Sequence, residues 1–272
     1  GAADDVVDTV NQFDGDGTEG AISAFGTRNP IYYNMDGAGL GITKEFGDSL
    51  ALSLAYLGSS PNDPSSDNGI FNGPYGALAQ LTFEPSKRFK IGLTYINAYN
   101  QELGTGSQRA NPISFLQSEN IPPSNVPGSD PEDVPFASNS YGIQATLGIS
   151  NNIELGGWVG YTNARNLSTE GGLIDRGDLD IWNWAVTLGI SDFGKKGNLA
   201  GIIVGMEPKV TDSSINEIDK DSDTSYHIEA FYQYKINDNI SITPGVIWLT
   251  APDHNDDNDD VVIGAFRTTF TF

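Results

Sequence analysis

Apolar and polar residues alternate strictly through most of this chain, and a period of two leaves little choice of fold. In "SLALSLAYL", Leu50, Leu52, Leu54 and Tyr56 share one face, with Ala51, Ser53 and Ala55 opposite. In "YGIQATLGI", Tyr141, Ile143, Leu147 and Ile149 oppose Gly142, Gln144, Thr146 and Gly148. In "YHIEAFYQYKI", Ile228, Ala230, Tyr232 and Tyr234 oppose His227, Glu229, Gln233 and Lys235. Such alternation is the mark of strands with two unlike faces, and no sustained helical period competes with it. It predicts eleven strands, at 37–47, 49–60, 73–86, 88–100, 138–150, 152–165, 179–192, 197–210, 224–236, 239–251 and 261–272. Most run about 11–14 residues, twice the usual globular strand. A tilted strand needs about 9–11 residues to cross the hydrocarbon of a bilayer.

The connections alternate between two lengths. Short turns such as "FGDS", "EPSKR", "ISNN" and "INDN" take turns with long polar loops such as "GSSPNDPSSDNGIFNG", 101–139, "TDSSINEIDKDSD" and "PDHNDDNDD". A meander with tight turns on one rim and long loops on the other is the pattern of outer-membrane barrels. Aromatic residues fall near strand ends (Tyr56, Phe83, Phe89, Tyr99, Tyr141, Tyr161, Tyr234, Trp248), where two interfacial belts are expected. The expected fold is therefore an all-β, transmembrane, antiparallel up-and-down barrel. Residues 37–272 supply 11–12 of its strands, with a long loop at 101–139. Residues 1–36 are expected outside the barrel or inserted into its lumen.

Eleven is an odd count, whereas single-chain bacterial barrels have even numbers. Either an odd number of strands belongs upstream of Gly1, in a barrel of about 16 strands, or "VVDTVNQF" and "NPIYY" include a further strand. The start "GAADDVVDTVNQF" has neither the basic beginning nor the apolar core of a signal peptide.

Composition narrows the function. The chain has 272 residues, 36 acidic and 14 basic side chains, and a formal net charge of -22. That charge argues against nucleic acid, which needs a basic surface. Cysteine is absent and there are two histidines, so thiolate metal sites are excluded and histidine chemistry has little room. A mean hydropathy of -0.29 suits a soluble protein equally well, because barrel strands are apolar on one face alone.

"FGTRNPIYY" (25–33), "GAGLGITKEFGDSLALSLAY" and the closing "FRTTFTF" resemble the cyanobacterial outer-membrane porins. These carry a surface-layer-homology domain and are related to the OprB carbohydrate-selective porins; some are labelled iron-uptake porins. The resemblance spans essentially all 272 residues, as the C-terminal half of such a protein. It implies an outer-membrane location in a Gram-negative-type cell and contact with outer-membrane lipid. It implies a homotrimer, and passage of small solutes and ions. Phe270 and Phe272 resemble the signal read by the barrel assembly machinery.

The lumen face should carry Gln80, Lys90, Gln144, Glu154, Asn183, Glu207, His227, Glu229, Gln233, Lys235 and Arg267. Pore-lining charges set ion preference, or else they pair with one another and satisfy a polar interior. Within the proline-rich stretch 110–136, a loop folded into the barrel would narrow it, with Arg109 and Glu119 as constriction candidates; a surface loop touching neighbouring protomers is the alternative. Arg28 is expected to hold an inserted segment through lumen carboxylates. Closely spaced acids in "DGDGTE" and "DHNDDNDD" offer oxygen ligands for weakly bound calcium, at Asp14, Asp16, Glu19, Asp256 and Asp257, or are solvated loop charge. No other cofactor is expected.

No nucleophile–base pair or phosphate loop is present, so an enzyme such as an outer-membrane lipase is not expected. The leading expectation is a passive channel for small hydrophilic solutes and inorganic ions that prefers cations. The competing one is a secreted acidic β-sandwich that binds carbohydrate or calcium.

Overall fold

The computed structural model describes residues 7–15, 18–65, 68–126 and 134–272. Eleven strands form one antiparallel sheet in strict chain order: β3 (Ala38–Phe46), β4 (Leu50–Gly58), β5 (Tyr75–Ser86), β6 (Phe89–Tyr99), β7 (Phe136–Gly148), β8 (Ile153–Asn166), β9 (Asp178–Ser191), β10 (Leu199–Ser213), β11 (His227–Asn237), β12 (Ile240–Leu249) and β13 (Val261–Phe270). All eleven lie where the alternation predicts them. The sheet is single and its edge strands β3 and β13 do not pair, so the two-sheet sandwich does not describe this chain. Before the sheet stand a two-residue hairpin, β1 (Asp14–Gly15) with β2 (Glu19–Gly20), a short helix α1 (Ala24–Thr27) and a 3-10 turn at Pro30–Asn34. Among the described residues, neither "VVDTVNQF" nor "NPIYY" adds a strand to the large sheet, which corrects that expectation. Residue 6 lies outside the described residues.

The two faces of the sheet differ as the pleat requires. On the outer face, cross-strand register places Tyr95 opposite Tyr141, Tyr141 opposite Tyr161 and Tyr161 opposite Trp182. Their ring centroids lie 5.2, 6.2 and 4.8 Å apart. One step toward the long-loop end, the same face turns polar, with Asn97, Asn139, Asn163 and Asp180 in register. The aromatic hydroxyls point across that boundary: Tyr95 donates to Asn139 at 2.7 Å and Tyr161 to Asp180 at 2.7 Å. Toward the short turns the face stays apolar, with Leu93, Ile143, Leu147, Val159, Val186 and Ile202 all exposed. From Tyr141 to Ile149 is about 27 Å of strand at about 3.4 Å per residue. Tilted by 35–45°, that gives about 20 Å of height, near the 25 Å apolar band of a membrane barrel. Near the short turns a second aromatic group collects Phe193, Tyr232 and Tyr234, with the Lys195 ammonium 5.1 Å above the Tyr234 ring.

The inner face is where the core lies. Phe13, Phe25, Ile31, Tyr32 and Met35 of the amino-terminal segment are buried against inward residues Leu57, Leu78, Ile96, Trp158, Ile203 and Phe231. A second core lies nearer the long loops. There Leu103, Ala110 and Leu116 of the 100–135 connection pack on Phe136, Ala164, Leu179, Ile181 and Val210. That connection holds a helix, α2 (Pro112–Glu119), which the strand pattern does not foretell. Proline at its start and left-handed Asn120 at its end are ordinary helix boundaries.

Candidate functional site

The inner face of the sheet and the two segments lying on it form the candidate site. Inward glycines make the approach possible. A Cβ at Gly76 would overlap the carbonyl oxygen of Asn34, and one at Gly245 would overlap the Ile22 side chain. Glycine within a strand is unfavourable unless another group comes close, and here the inserted segment is that group.

Polar inward side chains bind the segment residue by residue. On β5, Gln80 accepts from the Tyr32 hydroxyl at 2.9 Å and donates to the Asp8 carbonyl at 2.5 Å. On β6, Lys90 pairs with Asp8 at 2.6 Å and with Glu84 at 3.1 Å. Asn34 donates to Ser140 of β7 at 3.1 Å, and Asn29 to the Val159 carbonyl of β8 at 3.3 Å. At the far edge, Arg267 of β13 donates to the carbonyls of Ala21 and Gly20 at 2.9 and 2.8 Å.

Glu229 is fully buried on β11. It accepts from the Ile22 amide at 2.6 Å, the Ser23 amide at 3.3 Å and the Ser23 hydroxyl. Two residues along the same face, His227 touches Glu229 through Nε2 at 3.3 Å and Glu207 through Nδ1 at 2.7 Å. Glu207 sits in an irregularity of β10, where pairing shifts between Met206 and Lys209. A bulge re-aims side chains and tolerates Pro208, which has no N–H to give the ladder. Glu207 then accepts from the Thr105 hydroxyl and from the Gly106 amide at 2.9 Å. The 100–135 connection is held a second time by buried Asp221, which accepts from Ser107 at 2.7 Å and from the Val210 amide at 2.7 Å. Arg109 lies 3.6 Å from the same carboxylate. Burial pushes the Asp221 carboxyl above its ordinary value, against those hydrogen bonds.

The residues expected to line an open lumen thus face inward but are largely engaged by protein. Gln144 is buried and accepts from Thr94 at 3.2 Å. Asn183 and Gln233 are buried as well. Glu154 is partly exposed beside Asp8, Lys90 and Arg88 in a cavity of about 220 Å³ at the short-turn end. Lys235 lies against Gly197 on the same rim. Arg28 pairs with Asp14 of its own segment at 2.8 Å, and the wall carboxylate Glu229 accepts from backbone amides. Glu119 is exposed at the end of α2. Phe270 and Phe272 are exposed on the outer side.

Among the described residues the calcium candidates do not converge. Asp14 is engaged by Arg28 and Thr9, Glu19 is exposed on β2, and Asp256 and Asp257 are exposed in the last long loop. Asp16 lies outside the described residues. Among the described residues no three acidic or histidine side chains come together as a metal site.

Thr105, Ser107 and Trp158 were not among the expected site residues, and Asp221 stood out only as one acid of the loop "DKDSD". Trp158, edge-on to Phe25 with centroids 5.6 Å apart, sits on an inward position of an alternating strand, and that register would have singled it out.

A family model described as "Carbohydrate-selective porin, OprB family" matches residues 1–272. Two curated relatives, both named uncharacterized proteins, match as well. The one from Nostoc sp. is 34% identical over 94% of this chain and 43% of its own length. The one from Synechocystis sp. is 35% identical over 98% of this chain and 49% of its own length. The chain therefore spans about half the length of the curated relatives it matches. Among solved structures, the ferric-catecholate import receptor Fiu of E. coli matches at a TM-score of 0.41 and 12% identity, over 84% of this chain and 47% of that one. The toluene transporter TodX of Pseudomonas putida matches at 0.40 and 11%, over 85% and 72%.

Proposed function

We propose, from the premise that this chain belongs to the OprB family of carbohydrate-selective porins, that it forms the wall of a passive outer-membrane channel narrowed by its own residues 18–35 and 100–126. Small hydrophilic solutes, sugars among them, and inorganic ions diffuse through without cofactor or energy coupling. One observation carries the reading: a single sheet whose outer face is apolar and aromatic-belted, and whose inner face is polar and packed with the chain's own segments. Facing the inward charges to lipid would cost roughly 2–4 kcal/mol for each midplane Lys or Arg. Facing the outer residues to water would leave a wide apolar surface uncovered.

The long loops carry much of the formal charge of -22, including exposed Asp256, Asp257, Asp259 and Asp260. They raise the local concentration of cations at that mouth, so the channel prefers cations. A homotrimer and handling by the barrel assembly machinery through Phe270 and Phe272 follow from the family likeness. The full polypeptide, placed in planar bilayers between unequal potassium chloride solutions, tests the reading. A discrete conductance with a cation-signed reversal potential is expected. An anion-signed potential contradicts the preference, and no conductance contradicts the channel.

A further inference from the structure

Two inserted segments meet at one side chain. His227 has a carboxylate at each ring nitrogen, Glu207 at Nδ1 and Glu229 at Nε2, 2.7 and 3.3 Å away. A carboxylate only accepts, so both contacts are hydrogen bonds when the ring carries a proton on each nitrogen. Each carboxylate is in turn fastened to a different segment. Glu229 takes the Ile22 and Ser23 amides, and Glu207 takes the Gly106 amide and the Thr105 hydroxyl. Other groups close the site. The Phe25 ring of α1 lies 4.9 Å from the imidazole, and the Arg267 guanidinium of β13 holds Ala21 and Gly20 just before Ile22. His254 meets the Glu207 carbonyl through Nε2 at 3.2 Å. Ile22 and Gly106 are far apart in the chain and share no direct hydrogen bond; the wall joins them.

We propose that the Glu229–His227–Glu207 bridge fastens the segment around Ile22 and Ser23 and the segment around Thr105 and Gly106 into one unit, so that neutralising the carboxylate at one end loosens the segment held at the other. The proposal rests on reading these segments as the narrowing of a pore. With Glu229 uncharged, the Nε2 proton loses its anionic acceptor and keeps only neutral ones, among them the Ser23 hydroxyl oxygen, also 3.3 Å away, so the cationic ring is no longer stabilised from that side. A ring that sheds that proton or turns leaves Glu207 without its cationic partner, and the grip on Thr105 and Gly106 weakens. The same sequence runs in reverse from Glu207 to Ser23.

These 272 residues hold no cysteine, so an engineered thiol, read against the same polypeptide without it, reports on one place. Ala21 and Ala110 are both buried, one in each segment. In the full polypeptide in lipid vesicles, A21C and A110C should react slowly with a membrane-impermeant maleimide. Glu229→Gln should speed labelling at A110C about tenfold, and Glu207→Gln should do the same at A21C, as loss of a charged hydrogen-bond partner implies. His227→Gln should speed both. The proposal is overturned if each glutamine speeds only the cysteine on its own side, or neither. Heat-modifiable gel mobility checks that each variant is folded; if a glutamate variant fails that check, His227→Gln decides, and unchanged labelling at either cysteine overturns the bridge. Labelling needs no solute flux, so coupled labelling in a protein that passes no ions refutes the pore and supports the bridge.

Discussion

At the scale of single residues, orientation across the sheet decides what a side chain does. Ile143 faces outward and Gln144, its neighbour, is buried inward. Ala145→Arg, on the same outward face midway between Tyr141 and Ile149, should cost about 2–4 kcal/mol, the cost of an arginine at the bilayer midplane, read by denaturant unfolding in lipid vesicles; a cost near zero would place that face in water. His254, in the last long loop, gives a pH dependence. Its Nδ1 accepts from the Ser225 amide at 2.8 Å, so that nitrogen bears no proton, and burial holds the imidazole below its ordinary value. A depressed native value means that the unfolded chain binds the proton first. The stabilisation is whole above about pH 6.5 and is lost as pH falls below it and on through the native value. Hydrogen exchange at the Ser225 amide, corrected for its intrinsic rate, should quicken between about pH 7.5 and pH 5; equal protection at both would contradict the assignment.

At the scale of elements, the strands were legible because burial of one face imposes a period of two over their whole length. The inserted segment was only half legible. Register says that Gln80, Glu229 and Arg267 point inward, but it does not say that Tyr32, Ser23 and Ala21 will meet them, because those partners are distant in sequence. The readable trace was the inward glycines within strands, Gly76, Gly142 and Gly245, which mark a close approach rather than a weak strand. Helix α2 left a weak trace, since eight residues inside a proline-rich loop carry little periodicity. Gly76 and Ala77 turn this into a matched pair. Gly76→Val should push the inserted segment off β5 and raise single-channel conductance or its noise, with the barrel still folded. Ala77→Val, facing outward, should leave the conductance as it was. Equal effects from the two would mean that the segment does not narrow the path.

At the scale of the molecule, the parts form one scheme. Outward aromatics and aliphatics set the height of the wall in the membrane, inward polar groups hold the chain's own segments, and acidic loops crowd one mouth. The family and the two-faced wall could be read from sequence. Whether the chain's own segments fill the interior stayed one of two alternatives, because the same polar residues serve a water column and a protein insert equally well. Liposome swelling in sugars of increasing size tests the central claim most directly, that this wall bounds a passive path narrowed by its inserts. The account predicts swelling of vesicles holding the full polypeptide in the smallest sugars, with a steep fall as sugar size increases. No swelling in any sugar, or rates indifferent to size, would contradict it.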